Sequence, residues 1–342
     1  MDIKTGSYTG NGVDDRLITG VGFTPVLLIT INVTTGAWVW KSSSMAGDLS
    51  LAMVGSATVT NRIQALNSDG FELGTDTSVN GNGTSYHYIA FAADTAVLDV
   101  GSYTGNGIDD TNITAGLTPV IVYTQGGSGA SALSGNWRNS TMAGDLSFRI
   151  HTATAASANR IQSLGTNAFQ VGTELEVNEN TTTFYYFAFA ANTAQVSVGS
   201  YVGNNTDNRD ITTNPALLPS WVWNRRQATA NQRGSIMKLT PHAGGVSNVI
   251  NVGEQGDAIQ ALNTNGFQVG TDYYVNGDDG GGASVNTYFY FTIAGPATAA
   301  TIPVLPTIPS GGGWAFLPYS AYQRYKGVRA LTEALRNAKI GP

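Results

Sequence analysis

The sequence predicts an all-β protein with three tandem antiparallel β-sandwich domains, of jelly-roll or immunoglobulin-like type, followed by a linker and a short C-terminal helix. Three observations support this prediction. One sequence unit occurs three times, short β-branched apolar segments alternate with Asn, Gly, Asp and Thr turns, and no convincing long helix occurs before residue 318. Short strands separated by such turns are typical of antiparallel sandwiches.

The period of the repeat indicates what kind of unit it is. Phe71, Phe169 and Phe267 are 98 residues apart, and a Gly-Thr pair follows each of them. A solenoid repeat has about 20–50 residues and does not fold alone, whereas about 100 residues form a complete β-sandwich. We therefore predict domains over residues 1–97, 98–195 and 196–295.

Each unit opens on a Gly-Ser-Tyr motif and closes on an aromatic strand. We predict that the motif tyrosines occupy equivalent sites; they are Tyr8, Tyr103 and Tyr201. In each copy an apolar strand begins at a proline, which the first position of a strand allows. The closing strands cover residues 86–92, 184–190 and 288–294. The bulky apolar run in the first of them predicts burial on most of both faces.

The C-terminal region differs in composition from the repeats. Residues 296–313 are rich in proline and contain a triple glycine, which predicts a linker. Residues 318–342 carry net charge +4 in a chain of net charge −6, which leaves −10 on the remainder. Val328, Leu331 and Leu335 have the spacing of one face of a short helix.

We predict that residues 314–342 anchor the chain to an assembly. Aromatic residues and arginine are enriched in interface cores, and basic charge steers a segment to an acidic partner surface. The alternative is a tail that packs on the third domain. The candidate contact residues are Trp314, Phe316, Tyr319, Tyr322, Arg324, Tyr325, Arg329, Leu331, Leu335 and Arg336.

The composition argues against several classes of function. The absence of cysteine excludes a disulfide scaffold, a thiolate zinc site and a cysteine nucleophile. Charged residues make up 12% of the chain and the three histidines lie at unrelated positions, so we predict neither an enzyme nor a cofactor. The net charge of −6 argues against nucleic-acid binding. No apolar run of about 18 residues occurs, so we predict no membrane insertion.

Two sets of charged residues have more than one interpretation. Asp14-Asp15 recurs as Asp109-Asp110, which raises the possibility of calcium. Aspartates in turns also satisfy backbone groups without a metal, and the spacing does not match an EF-hand, so we predict no metal. Asp48 and Arg62 have counterparts in the second copy but not in the third. We interpret them as a buried ion pair that braces a loop, with a binding site as the alternative.

The tryptophans within the repeats are candidate glycan-binding residues. An exposed tryptophan stacks well on a sugar ring, but filling a core is its more common role. The residues concerned are Trp38, Trp40, Trp137, Trp221 and Trp223.

The repeat resembles a known class of surface protein. Its pattern is Gly-Ser-Tyr-Thr-Gly-Asn-Gly, then Gly-Phe-Thr-Pro-Val-Leu-Leu, then Asn-Arg-Ile-Gln-Ala-Leu-Asn-Ser-Asp-Gly-Phe-Glu-Leu-Gly-Thr-Asp, then Tyr-His-Tyr-Ile-Ala-Phe-Ala. Over residues 5–295 this pattern is similar to the adhesin-like β-sandwich repeats of tailed-phage virion proteins, in tail fibres, head fibres and capsid decorations. It also resembles H-type lectin domains. The resemblance implies a sandwich fold that serves as a spacer, a decoration or a binder.

The expected function is that of a non-enzymatic structural protein of a phage virion. We expect it on the surface of the head or tail, assembled in the host cytoplasm and held to other virion proteins by its C-terminal segment. Weak adhesion to host cell-surface glycans is part of this expectation. A fibre or decoration without cysteine or metal is normally held together by symmetric contacts between identical chains. We therefore expect a homo-oligomer, namely a trimer, with a monomeric three-domain capsid decoration as the alternative. The alternative function is a free carbohydrate-binding lectin.

Overall fold

The fold is given by a computed structural model, which describes residues 1–55, 58–127, 134–151, 155–192, 194–227, 234–277 and 286–295. We call residues 1–97, 98–195 and 196–295 repeat 1, repeat 2 and repeat 3. The predicted linker, C-terminal helix and anchoring segment lie outside the described residues.

Eight strands and one helical turn lie within the described part of repeat 1. They are β1 (Ile3–Thr9), β2 (Arg16–Thr19), β3 (Leu27–Asn32), β4 (Trp38–Ser42), β5 (Leu51–Ala52), β6 (Ile63–Asn67), β7 (Gly70–Leu73), α1 (Thr77–Asn80) and β8 (Ser85–Phe91).

Repeat 2 has the same elements in the same order. They are β9 (Leu98–Thr104), β10 (Thr111–Thr114), β11 (Pro119–Gly126), β12 (Asn136–Asn139), β13 (Phe148–Arg149), β14 (Ile161–Gly165), β15 (Ala168–Val171), α2 (Leu175–Asn178) and β16 (Thr183–Ala190).

The described residues of repeat 3 form nine strands. They are β17 (Val196–Val202), β18 (Arg209–Thr212), β19 (Trp221–Gln227), β20 (Ile236–Leu239), β21 (Ser247–Val249), β22 (Gly253–Gln255), β23 (Ile259–Asn263), β24 (Gly266–Val269) and β25 (Thr287–Ile293).

Every repeat is a two-layer antiparallel sandwich with one topology. The large sheet of repeat 1 has the strand order β1-β8-β3-β4-β5, and its outer sheet has the order β2-β7-β6. Repeat 2 repeats both orders, and repeat 3 differs by the additional edge strand β22 in its large sheet. The prediction of an all-β antiparallel sandwich fold is therefore confirmed.

The large sheets are buried on both faces. Every residue of β3 and of β4 is buried, which a sheet with one face in water does not allow. One face of each large sheet packs on its own outer sheet, which gives three separate small cores. The other face contributes to a single central core that contains residues of all three repeats.

The repeats close into a ring through equivalent contacts. The loop after the fourth strand of each repeat, which we call the seam loop, contacts the first strand of the following repeat. The seam loops cover residues 42–49, 139–146 and 239–246. Ser44 Oγ donates to the carbonyl of Gly101 at 3.2 Å, which joins repeat 1 to repeat 2.

Repeats 2 and 3 follow the same pattern. Asn139 Nδ2 donates to the carbonyl of Gly199 at 3.4 Å, and Thr240 Oγ1 lies 2.5 Å from Thr5 Oγ1 of repeat 1. Each repeat thus contacts the next one in the chain, and repeat 3 contacts repeat 1, which closes the ring. The repeats therefore form one compact unit, Met1–Thr298, around a shared core and are not independent domains joined end to end.

The recurring Gly-Ser-Tyr-Thr-Gly-Asn motif is a structural latch. In repeat 1 the hydroxyl of Tyr8 donates to the carbonyl of Val79 at 2.7 Å, and the backbone N–H of Asn11 donates to Asn80 Oδ1 at 3.0 Å. Tyr103 and Tyr201 make the matching bonds to the carbonyls of Val177 and Val275. The prediction that the three tyrosines occupy equivalent sites is confirmed.

The second glycine of the motif is required by close backbone approach. A Cβ at Gly105 would lie 2.2 Å from the carbonyl oxygen of Glu179, which is far inside contact distance. The backbone N–H of Gly105 also donates to the carbonyl of Thr182 at 2.8 Å, so the two segments cannot separate without losing that bond.

We expect Gly105→Ala to lower the free energy of unfolding by about 1–3 kcal/mol, because the added methyl group must push two hydrogen-bonded segments apart. Urea unfolding followed by circular dichroism measures this change. Gly165→Ala is the matched control, since its Cβ would meet its nearest atom at an ordinary 3.7 Å. Equal stability of the two variants would contradict the close-approach argument.

Candidate functional site

The five candidate tryptophans lie in the central core and not on the surface. Trp38, Trp40, Trp137, Trp221 and Trp223 are each 0–1% exposed. A ring with no exposed face has nothing to stack on a sugar, so these residues do not form a glycan site in this fold. Their role is the alternative one, filling a core.

Two of these tryptophans bind repeat 1 to its neighbours. Trp40 Nε1 donates to Gln125 Oε1 of repeat 2 at 2.9 Å, and Trp38 Nε1 donates to Asn248 Oδ1 of repeat 3 at 2.8 Å. Trp40 also meets the ring of Tyr123 edge-on, with centroids 5.4 Å apart. The indoles therefore combine apolar packing with satisfied N–H groups at the boundaries between repeats.

The ten candidate anchoring residues, from Trp314 to Arg336, lie outside the described residues. Their role in attachment stays a prediction.

The paired acids hold turns together. Asp14, Asp109 and Asp207 each accept a hydrogen bond from the side-chain amide of a glutamine in the outer sheet, at 2.8–3.0 Å. Their neighbours Asp15 and Asp110 have φ angles of 54° and 57°, the left-handed conformation of a turn. Within the described part of the chain, no group of three or more His, Asp or Glu side chains could hold a metal ion.

The predicted pairing of Arg62 with Asp48 is wrong. Arg62 Nε lies 3.1 Å from Asp76 Oδ2, next to α1, and its counterpart Arg160 Nε lies 2.9 Å from Glu176 Oε2. These arginines therefore brace the helical turn beside the outer sheet and not the seam loop.

The seam loop is held from inside by a buried cation. Lys41 Nζ donates to the carbonyls of Gly47 and Leu49 at 2.7 and 2.6 Å. Arg138 and Lys238 occupy the same place in the other repeats and donate to carbonyls of their own seam loops. Burial lowers the pKa of both lysines to about 8. These hydrogen bonds fix the conformation of the seam loop. At one equivalent position in each repeat, the loop carries a buried side chain at the boundary with the neighbouring repeat.

That side chain is Met45 in repeat 1, Met142 in repeat 2 and His242 in repeat 3. The equivalence follows from the backbone, because each of the three donates its N–H to the carbonyl three residues earlier. All three are about 4% exposed. His242 therefore has equivalents after all, which sequence comparison by residue type did not detect.

His242 meets another histidine across the boundary between repeats. Its ring centroid lies 4.4 Å from that of His87 in β8, with 64° between the ring planes. The side-chain atoms His87 Nδ1 and His242 Nε2 are buried and have no hydrogen-bond partner among the described residues. Burial, assisted by His87 and Lys238, lowers the pKa of His242 to about 3. Both rings are therefore neutral at pH 7, and acid favours their protonated, charged form.

Shallow grooves lie on the outer sheets of repeats 1 and 3. The groove on repeat 3 has a volume of about 540 Å³ and is bordered by Asp210, Asn263 and Asn265, with Leu218 55% exposed beside it. The groove on repeat 1 has a volume of about 320 Å³ at the equivalent hairpin. In it, Asp69 accepts the backbone N–H groups of Gly20 and Gly22, which lower its pKa.

Sequence reasoning missed the central core and the histidine pair. A signal for the core is present, since Trp38-Val39-Trp40 and Leu27-Leu28-Ile29 are apolar on both faces of their strands. The pair has no local signal, because His87 and His242 are 155 residues apart and belong to different copies of the repeat.

Among the described residues no helix is long and apolar enough to cross a bilayer. No protein-family model, curated protein or solved structure matches this chain.

Proposed function

We propose that the chain is a non-enzymatic structural protein of a phage virion, displayed on the head or tail surface and attached to other virion proteins by residues 314–342. The observation that carries the proposal is the closed ring. Large aromatic side chains, which a catalytic or ligand cavity would present to solvent, are used here to fuse three sandwiches around one core. Such a ring is a rigid body suited to display.

The charge distribution supports attachment through the C-terminal segment. That segment carries net charge +4, whereas the remainder of the chain carries −10. A basic, aromatic segment that follows a Pro/Gly-rich stretch is suited to an acidic partner surface.

Truncation after Gly311 tests the attachment. We expect the truncated chain to keep the circular dichroism spectrum and melting temperature of the full chain, and to lose its loading onto particles. In the full chain, Arg329→Glu with Arg336→Glu is expected to weaken loading in a salt-dependent way, because it reverses two charges of the segment. A folded truncated ring that loads at the wild-type level would overturn the proposal.

Weak adhesion to host cell-surface glycans is the second part of the proposal. The buried tryptophans cannot supply it, so we assign it to the outer grooves, whose Asp, Asn and Thr groups suit sugar hydroxyls. These grooves also favour the alternative function, a free carbohydrate-binding lectin. Glycan binding by the truncated ring, together with wild-type behaviour of the charge-reversed variant, would favour the lectin.

Assembly of whole chains into a homotrimer stays a prediction. Three sandwiches already pack around a common core within one chain, which gives the monomeric decoration a concrete structural basis. Light scattering of the purified chain distinguishes a mass of one chain from a mass of three.

A further inference from the structure

The three boundaries between repeats, which we call the seams of the ring, differ in their covalent connection. The first seam lies between repeats 1 and 2, the second between repeats 2 and 3, and the third between repeats 3 and 1. Repeat 1 continues into repeat 2 through residues 92–97, and repeat 2 continues into repeat 3 through residues 191–195. The seam between repeat 3 and repeat 1 has no such connection. It is closed by non-covalent contacts, among them Thr5 with Thr240 and the backbone bond from Asn251 N–H to the carbonyl of Gly36 at 2.8 Å.

The same seam has a different chemistry from the other two. The positions equivalent to His242 and His87 are occupied by Met45 and Tyr185 at the first seam and by Met142 and Phe289 at the second, and neither pair contains a histidine. At the third seam both positions are histidine. The histidine pair thus occurs at the seam that no linker holds together.

His242 Nδ1 faces the backbone of Leu239. In the neutral ring with its proton on Nε2, Nδ1 accepts the backbone N–H of Leu239 at 3.0 Å, and the carbonyl oxygen of Leu239 lies 3.4 Å from the same atom. A second proton at Nδ1 displaces the N–H of Leu239 and faces the more distant carbonyl instead. It also brings positive charge against His87 of β8 and against Lys238 of β20, whose own charge is partly balanced by Glu254.

We propose that the seam between repeat 3 and repeat 1 opens in acid. Uptake of a proton by His242 opens the ring at this seam, while the two linked seams stay closed. Metal binding is a weaker interpretation of the histidine pair. Lys238 opposes a cation at that place, and no third His, Asp or Glu among the described residues completes a metal-binding group with the two histidines.

The direction of the pH dependence follows from proton uptake. The pKa of His242 is about 3 in the closed ring and 6.5 for a freely exposed ring. Between these values the open seam binds more protons than the closed one, so acid favours opening. The opening equilibrium is expected to rise about tenfold for each pH unit below 6.5, and thus about 100-fold at pH 4.5. Lys238 stays protonated over this range and does not contribute.

Hydrogen exchange of the full chain measures opening at each seam separately. The backbone N–H groups of Asn251 and Glu254 donate to the carbonyls of Gly36 and Val33 across this seam. After correction for intrinsic exchange rates, we expect their protection to fall about 100-fold between pH 7 and pH 4.5. Little change is expected for the N–H groups of Gly135 and Ser235, which donate across the other two seams to the carbonyls of Met53 and Ile150. His242→Met, alone or with His87→Phe, copies the residues of the second seam and is expected to remove the pH dependence. An equal loss at all three seams, or none, would overturn the proposal.

A cross-link provides a test that does not depend on removing a histidine. The hydroxyl oxygens of Thr5 and Thr240 are 2.5 Å apart, close enough for a disulfide after Thr5→Cys with Thr240→Cys, and the chain has no other cysteine. The oxidised variant is expected to keep its protection at pH 4.5. Ser43→Cys with Val100→Cys, at the equivalent place of the first seam, is the matched control and is expected to open like wild type. Acid opening that persists unchanged in the locked chain would also overturn the proposal.

Discussion

Replacing Trp40 by alanine is expected to lower the free energy of unfolding by about 3–5 kcal/mol and to destabilise the whole ring. Trp40 is fully buried. Its ring contacts Tyr123 and Phe187 of repeat 2 at centroid distances of 5.4 and 5.5 Å, and its N–H is bonded to Gln125. The substitution therefore leaves a cavity between two repeats and removes a hydrogen bond that joins them.

The shared core makes the expected loss cooperative. Urea unfolding should show one transition, coincident by tryptophan fluorescence and far-ultraviolet circular dichroism, that shifts as a whole in Trp40→Ala. Leu17→Ala is the control in the same repeat: Leu17 is 58% exposed, and its removal is expected to change stability by less than about 0.5 kcal/mol. A separate early transition, with repeats 2 and 3 unaffected, would show that the sandwiches fold independently.

Replacing Asn178 by alanine is expected to cost about 2–4 kcal/mol, because it leaves several buried backbone groups without partners. Asn178 is fully buried at the end of α2. Its Oδ1 accepts the N–H of Asn106 at 2.9 Å, and its Nδ2 donates to the carbonyls of Ile108 and Gly172 at 2.7 and 2.8 Å. One side chain thus connects the opening motif, the following loop and the end of β15.

A second asparagine in the same repeat gives the matched comparison. Asn112 lies exposed in β10, so Asn112→Ala is expected to be nearly neutral. Thermal unfolding of both variants measures the difference. Asn80 and Asn276 make the same set of bonds in repeats 1 and 3, so their alanine variants should lose similar stability. A loss confined to Asn178 would contradict the latch as a common feature.

The latch shows which part of a recurring motif's structural role can be predicted from sequence and which part cannot. The motif predicted three equivalent units correctly, because a Tyr, a close-packed Gly and an Asn are each needed at fixed spacing for one local arrangement. Its partner Asn80 lies 69 residues after Asn11, and the sequence does not indicate which later polar residue completes the arrangement.

The sequence by itself determined the all-β class, the threefold repetition and the strand at each Pro-led apolar run, since these depend on patterns within one unit. Only the tertiary structure decided that the tryptophans face a common core and that His242 meets His87. The physical reason is that a strand with apolar residues on both faces needs a packing partner on each face, and the sequence of one repeat specifies only one of them, its own outer sheet. The packing partner of the second face is the other two repeats, through contacts between residues up to 235 positions apart.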